Sequence, residues 1–139
     1  MDARLIFWPA IAMVAVTLIV QMRMLYVRTS QIKRERIKLQ SIATSAAAAA
    51  RLTESGPADN FRNLLELPVL FYLAVVVAFL TAQVNWLTLS LAWLFVALRI
   101  AHSLIHCSNN RVLHRFYAYF ASSMALWLMW AVLALGLLK

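Results

Sequence analysis

Residues 64–106 read LLELPVLFYLAVVVAFLTAQVNWLTLSLAWLFVALRIAHSLIH. Two apolar runs, Leu64 to Ala82 and Trp86 to His106, are separated only by Gln83-Val84-Asn85. Each run is close to the ~20 residues that carry an α-helix across a bilayer. A turn this tight makes the two helices antiparallel neighbours. Similar runs recur on both sides: Leu5 to Tyr26, interrupted by Gln21 and Arg23, and Phe116 to Leu138. Four such runs in 139 residues, 64% of them hydrophobic and 13% charged, exceed what a soluble core of this size contains. The expected fold is an all-α membrane protein: one domain over residues 1–139, a four-transmembrane-helix bundle with spans at about 5–27, 62–82, 86–106 and 116–138 and a long loop at 28–61. The first run is too long for the apolar region of a cleaved leader, and no small-x-small site follows it, so it reads as a retained span.

The formal net charge is +8, and its placement is uneven. Arg28, Lys33, Arg34, Arg36, Lys38, Arg51 and Arg62 follow the first span, and Arg111 and Arg115 follow the third, whereas the Gln83–Asn85 turn carries no charge. The positive-inside rule then puts both basic loops in the cytoplasm and both termini outside, as in a multi-pass protein of a bacterial inner membrane. Topology accounts for the basic residues, so lipid and not nucleic acid is the expected partner. Cys107 is the only cysteine; it forms no intrachain disulfide and fits no metal spacing.

Three prolines punctuate the helices. Pro9 lies near the start of the first span, where a missing N–H costs little. Pro57, after Gly56, is expected to stop whatever helix precedes it. Pro68 lies one turn into the second span and frees the carbonyl of Leu64, predicting a kink beside Glu66. Within the long loop, Ser41 to Leu52 contains the alanine run 46–50 and predicts a surface helix too small-sided to be a fifth span. Trp8, Trp86, Tyr26 and Tyr117 fit interfacial belts, while Trp93, Trp127 and Trp130 lie deeper as packing or lipid-facing residues.

An ionisable side chain at membrane depth costs ~2.5–3.5 kcal/mol even on lenient scales, so such groups face a bundle interior or a wet cavity. Asn63 and Glu66, three residues apart, share a helix face that Asn60 continues. Arg99, His102 and His106 are spaced i, i+3, i+7 on one stripe. Antiparallel pairing brings the two stripes to one depth. They form either an ion pair, Glu66 with Arg99, that fixes helix register, or a polar cavity bounded by Arg99, Arg115, Asn63 and Glu66. A cavity of this kind suits a small anionic or zwitterionic ligand, since arginine offers a rigid, permanently charged fork to carboxylates. His102 and His106 have zinc-compatible spacing, but Arg99 beside them repels a cation and no His-Glu-x-x-His pattern exists, so no metal is expected. His114 is expected in the solvent-facing loop. Four spans with one membrane glutamate also suit a small proton-coupled exporter, although Glu66 lies near a helix end and the basic cluster favours anions.

These residues resemble those of the MAPEG family, the membrane-associated proteins of eicosanoid and glutathione metabolism. The resemblance covers nearly the whole chain in length, span number and loop pattern. Its specific motifs are Asn63-Leu64-Leu65-Glu66 with Pro68 and Phe71, and Arg99-Ile100-Ala101-His102. Arg23 and Arg28 resemble the basic residues that end the family's first span. Counting back from Ala121-Ser122 and Ala125-Leu126-Trp127, Arg115 falls on the arginine that activates a thiol in the leukotriene-synthase-like members. The resemblance implies a homotrimer that binds glutathione as cosubstrate between protomers, through Arg28, Asn63, Glu66, Arg99, His102 and His106. It also implies that Arg115 is the catalytic residue, stabilising a glutathione thiolate that attacks a hydrophobic electrophile in a transferase or peroxidase reaction. Three positions depart from the pattern: His106 and Phe120, where relatives often carry tyrosine, and Asp59 in place of an arginine. These departures keep a non-catalytic binding or scaffold module of the same family as the alternative.

Overall fold

The computed structural model describes residues 1–108 and 111–138. Its regular structure is helical: α1 (Phe7–Arg34), α2 (Ser45–Arg51), α3 (Gly56–Leu64), α4 (Leu67–Leu80), α5 (Trp86–His106) and α6 (Val112–Leu137), with 3-10 turns at Ala3–Ile6 and Leu39–Ile42. Four helical segments, Ala3–Arg34, Gly56–Leu80, Trp86–His106 and Val112–Leu137, are long and apolar enough to cross a membrane.

Burial follows helix periodicity. On the first segment, Ile6, Met13 and Val20 are buried, seven residues apart, while Trp8, Ile11, Leu18 and Ile19 lie exposed. On α6, Ser122, Leu126, Met129 and Leu133 continue one face inward. Ala74 and Ala78, both fully buried on α4, let the neighbouring backbones approach closely. In lipid such packing, more than apolar transfer, holds helices together. Phe71 of α4 stacks on Phe95 of α5 at 4.6 Å between ring centroids. Trp93 and Trp127 face outward, and Trp130 packs against the core.

The Gln83–Asn85 turn is heavily bonded. Asn85 Oδ1 accepts from the backbone of Leu87 and Thr88, and Thr88 Oγ1 accepts from the Asn85 N–H, which makes a capping box. Before it, α4 closes on Ala82 at φ 54°, with Gln83 N–H donating to the Ala78 carbonyl. α1 closes the same way on Arg36 at φ 51°, with Ile37 N–H donating to Ile32. Both are left-handed helix ends without the glycine that usually marks them. α6 ends close to this turn, and a Cβ at Gly136 would overlap the Gln83 carboxamide.

Several expectations change. The first helix runs seven residues past the predicted end at 27, to Arg34, so the stretch between 28 and 61 is largely helical and not a loop. The predicted surface helix is present as α2, capped by Thr44. Gly56-Pro57 opens α3 instead of stopping a helix, because proline's fixed φ and missing N–H suit the first turn. α6 begins at Val112, four residues before the predicted start, so His114 and Arg115 are helical. The kink beside Glu66 is a full break: α3 ends at Leu64, and Glu66 sits at φ −96°, ψ −96° before α4.

At the basic end, α1 is clamped to the chain that follows α2. Gln31 is buried; its amide nitrogen donates to Glu35 Oε1 and Thr53 Oγ1, and its oxygen accepts from the Glu54 N–H. Arg34 pairs with Glu35 and Glu54, but these side chains are exposed, so the pairs contribute little.

Candidate functional site

α5 carries one buried stripe along its whole length: Thr88, Ala92, Phe95, Arg99, His102 and His106, none more than 3% exposed. The first half of the stripe is packing. The second half is ionisable, and it lies against the start of α6 and the end of α3.

Arg99 is fully buried, and two groups contact its guanidinium directly. Nη2 donates to the carbonyl of Asn63 at 2.7 Å, and the guanidinium carbon lies 5.4 Å from the centroid of the Tyr119 ring. The Asn63 carbonyl is available because the helix breaks two residues later, which removes the N–H that a continuous helix would supply from Leu67. A cation at that position also complements the negative end of α3. The break before Pro68 and the buried arginine thus explain each other.

His102 Nδ1 lies 3.1 Å from the carbonyl of Arg115. A carbonyl only accepts, so Nδ1 carries the proton and the start of α6 is tied to α5. One turn later, His106 Nε2 lies 3.2 Å from Arg115 Nη1. A guanidinium only donates, so this nitrogen is an acceptor. Two histidines on one face of α5 therefore hold Arg115 at both its backbone and its side chain. Tyr119, one turn beyond Arg115, completes the group, 5.7 Å from the His102 ring between centroids. Its carbonyl takes bonds from both Ser122 Oγ and Ser123 Oγ.

Asn63, His102, Val112, Arg115, Phe116 and Tyr119 line a cavity of ≈ 220 Å³. Behind it, Arg99 Nε and Nη1, His102 Nε2 and His106 Nδ1 are buried without a hydrogen-bond partner among the described residues. A buried polar atom left unpaired costs ~1–3 kcal/mol, so the cluster holds more hydrogen-bonding capacity than the protomer uses.

Of the residues singled out from sequence, Asn63, Arg99, His102, His106 and Arg115 come together here. Glu66 and Arg28 do not. Glu66 sits exposed at the break and makes no direct salt bridge to Arg99, whose Nη2 is taken by the Asn63 carbonyl, although the Glu66 charge still acts on Arg99 at longer range. Arg28 is exposed on α1. Two residues outside the candidate set contribute. Tyr119 takes the place next to Arg99 while Phe120 faces outward; its i, i+4 spacing from Arg115 was the available signal. Asn60 is fully buried, accepting from Ser103 Oγ and donating to Cys107 Sγ, which ties α3 to α5. Among the described residues, no three His, Cys, Asp or Glu side chains cluster in a way that could hold a metal ion.

Compared with known proteins, the chain matches the profile of the MAPEG family over residues 6–135. No curated protein and no solved structure matches it.

Proposed function

We propose, from the premise that this chain belongs to the MAPEG family, that it is a glutathione-dependent transferase or peroxidase acting on hydrophobic electrophiles dissolved in the bilayer. The observation that carries this reading is the convergence of Arg115, Asn63, His102 and Tyr119 on one cavity with Arg99 buried behind it. Glutathione is a flexible tripeptide with two carboxylates, an ammonium and a thiol. A cavity with the Arg115 guanidinium at its wall, and the buried Arg99 with unpaired donors behind it, fits the anionic part of such a ligand.

In this mechanism the thiol gives up its proton to solvent, and Arg115 stabilises the sulfur anion by proximity of opposite charge. The thiolate is the nucleophile, and it attacks the electrophile from the side open to lipid at Val112 and Phe116, both exposed. His102 and His106 fix where Arg115 stands. Asn63 offers its carboxamide to a peptide group of the ligand. Glu66 and Arg28, exposed on the protomer, contribute across an interface in a trimer, where Glu66 accepts from the ligand ammonium. The basic side of the molecule is cytoplasmic in this reading, where glutathione is abundant.

Titration of the purified protein with glutathione, followed by thiolate absorbance in the ultraviolet, tests it. The wild-type chain gains a thiolate signal, and Arg115→Ala loses it. An absence of glutathione binding at millimolar concentration would overturn the assignment.

One observation favours a second reading, a non-catalytic binding module on the same frame. The Arg115 side chain already has His106 as an acceptor, so part of its donor capacity is directed inward. In that case glutathione or another anion binds, yet no conjugation of chlorodinitrobenzene occurs and Arg115→Ala changes no rate.

A further inference from the structure

A second cavity lies around α5 from the polar cluster. It is a groove of ≈ 350 Å³ between α1 and α5, lined by Val16, Ile19, Val20, Ile100 and Leu104, with Arg23, Ser103, Cys107 and Ser108 closing one end. Ile100, Ser103 and Cys107 each follow one residue after Arg99, His102 and His106, and Leu104 lies two residues from either histidine, so the lining points about 100° or more away from that stripe. The groove is therefore separate from the thiol site.

We infer that this groove is a phospholipid site, in which one acyl chain of an anionic phospholipid lies along Val16, Ile19, Val20, Ile100 and Leu104 and its phosphate is held by Arg23. Three features carry the assignment. The first is direction. α1 and α5 lie in the first and third spans and run in the same direction, and Arg23, eleven residues before the end of α1, bonds the Cys107 carbonyl at the end of α5. From Val16 to Arg23 the groove climbs roughly 10 Å at ~1.5 Å per residue, apolar toward the middle of the membrane and polar at the basic end. That polarity gradient matches a lipid of the leaflet on the basic side. The second is access: Ile19, Ile100 and Leu104 are exposed, so the groove opens sideways to lipid. The third is charge. Arg23 is exposed and uses Nη2 on the Cys107 carbonyl at 2.9 Å. A guanidinium has five N–H donors in a fork that matches phosphate, so most of its capacity faces the headgroup level. No carboxylate pairs with Arg23 among the described residues.

A chain in this position lies against both helices, and a headgroup on Arg23 adds to its tether to Cys107. The proposal does not depend on glutathione chemistry.

Native mass spectrometry of the full-length protein in mild detergent, with phosphatidylglycerol and phosphatidylcholine of matched chains in competition, reads the effect. Wild type retains phosphatidylglycerol preferentially. A membrane-surface cation is worth about a fivefold change in partition, so Arg23→Gln lowers the preference about fivefold. Arg23→Lys keeps most of it, which separates charge from the tether to Cys107. Lys33→Gln, a cation outside the groove, leaves it unchanged. Val16→Trp fills the apolar end and lowers retention of both lipids, with circular dichroism confirming that the helices persist. Equal retention of the two lipids by wild type would overturn the assignment. So would loss of preference in Lys33→Gln equal to that in Arg23→Gln. If the protein fails to fold with Trp at position 16, the arginine and lysine variants still decide. A change of oligomeric mass in Val16→Trp with lipid retention intact would assign the groove to a second copy of the chain instead and refute the lipid site.

Discussion

His106 stands where the family resemblance leads to the expectation of a tyrosine, and the geometry gives the imidazole a role. A tyrosine hydroxyl at this position could donate to a ligand; the imidazole Nε2 instead accepts from Arg115. His106→Phe keeps a ring of similar bulk and removes the acceptor. A hydrogen bond to a charged group contributes ~1.5–3 kcal/mol, so loss of orientation should lower the glutathione thiolate signal about tenfold. Glutathione affinity should change far less, because Asn63 and Arg99 remain. His106→Gln, which restores an acceptor, should recover part of the signal; if it does not, packing and not the bond is what His106 supplies. The spacing of Arg99, His102 and His106 was legible in the sequence because helix periodicity fixes which side chains share a stripe. The partner of Arg99 was not legible. Glu66 was the obvious counter-charge, but the arginine is met by a main-chain carbonyl and a ring face, and neither is visible as a charge pattern.

At the scale of the helices, the apolar cores of all four spans could be read from hydropathy, and their ends could not. α1 and α4 both stop on left-handed residues that are not glycine, Arg36 and Ala82, so the usual stop signal was absent. α6 starts before its apolar run does, since Val112 to Arg115 are held by the Arg115 contacts to α5 and not by hydropathy. The Ala82 conformation makes a stability prediction. An L-residue in the left-handed region costs ~1–2 kcal/mol relative to a residue without Cβ. Ala82→Gly should therefore raise the thermal unfolding midpoint in detergent, with the gain reduced by glycine's greater freedom in the unfolded chain. The opposite change at Gly136 should destabilise: Gly136→Val drives a branched side chain into Gln83, at ~1–3 kcal/mol for overpacking. A thermal midpoint that is unchanged in both variants would mean that this end of the molecule does not limit stability.

For the molecule as a whole, the buried interior of one protomer is narrow. α1 buries one thin stripe and leaves Trp8, Ile11, Leu18, Ile19 and Met22 exposed, and Glu66 and Arg28 project outward at the basic end. Lipid can cover the apolar residues, while the two charges need water, headgroups or another protomer. On the trimeric reading, mass measured in detergent should equal three chains. Glu66→Gln should leave that mass unchanged and weaken glutathione binding about tenfold, as for loss of a charge-assisted bond. A monomer that binds glutathione with full affinity would instead place the whole ligand site within one chain.

The single stripe on α5 also bears on what kinds of genetic change the protein tolerates. Thr88, Ala92, Phe95, Arg99, His102 and His106 are buried because every helical step between them is counted correctly. One extra codon between Phe95 and Arg99 would leave composition and span length almost untouched, yet it would rotate the ionisable half by about 100° relative to the packed half. Arg99 and both histidines would then turn away from Asn63 and Arg115. Outward positions such as Trp93, Leu94 and Leu104 should accept many apolar replacements. In a library covering this segment, survivors should be rich in substitutions and nearly devoid of single-residue insertions and deletions.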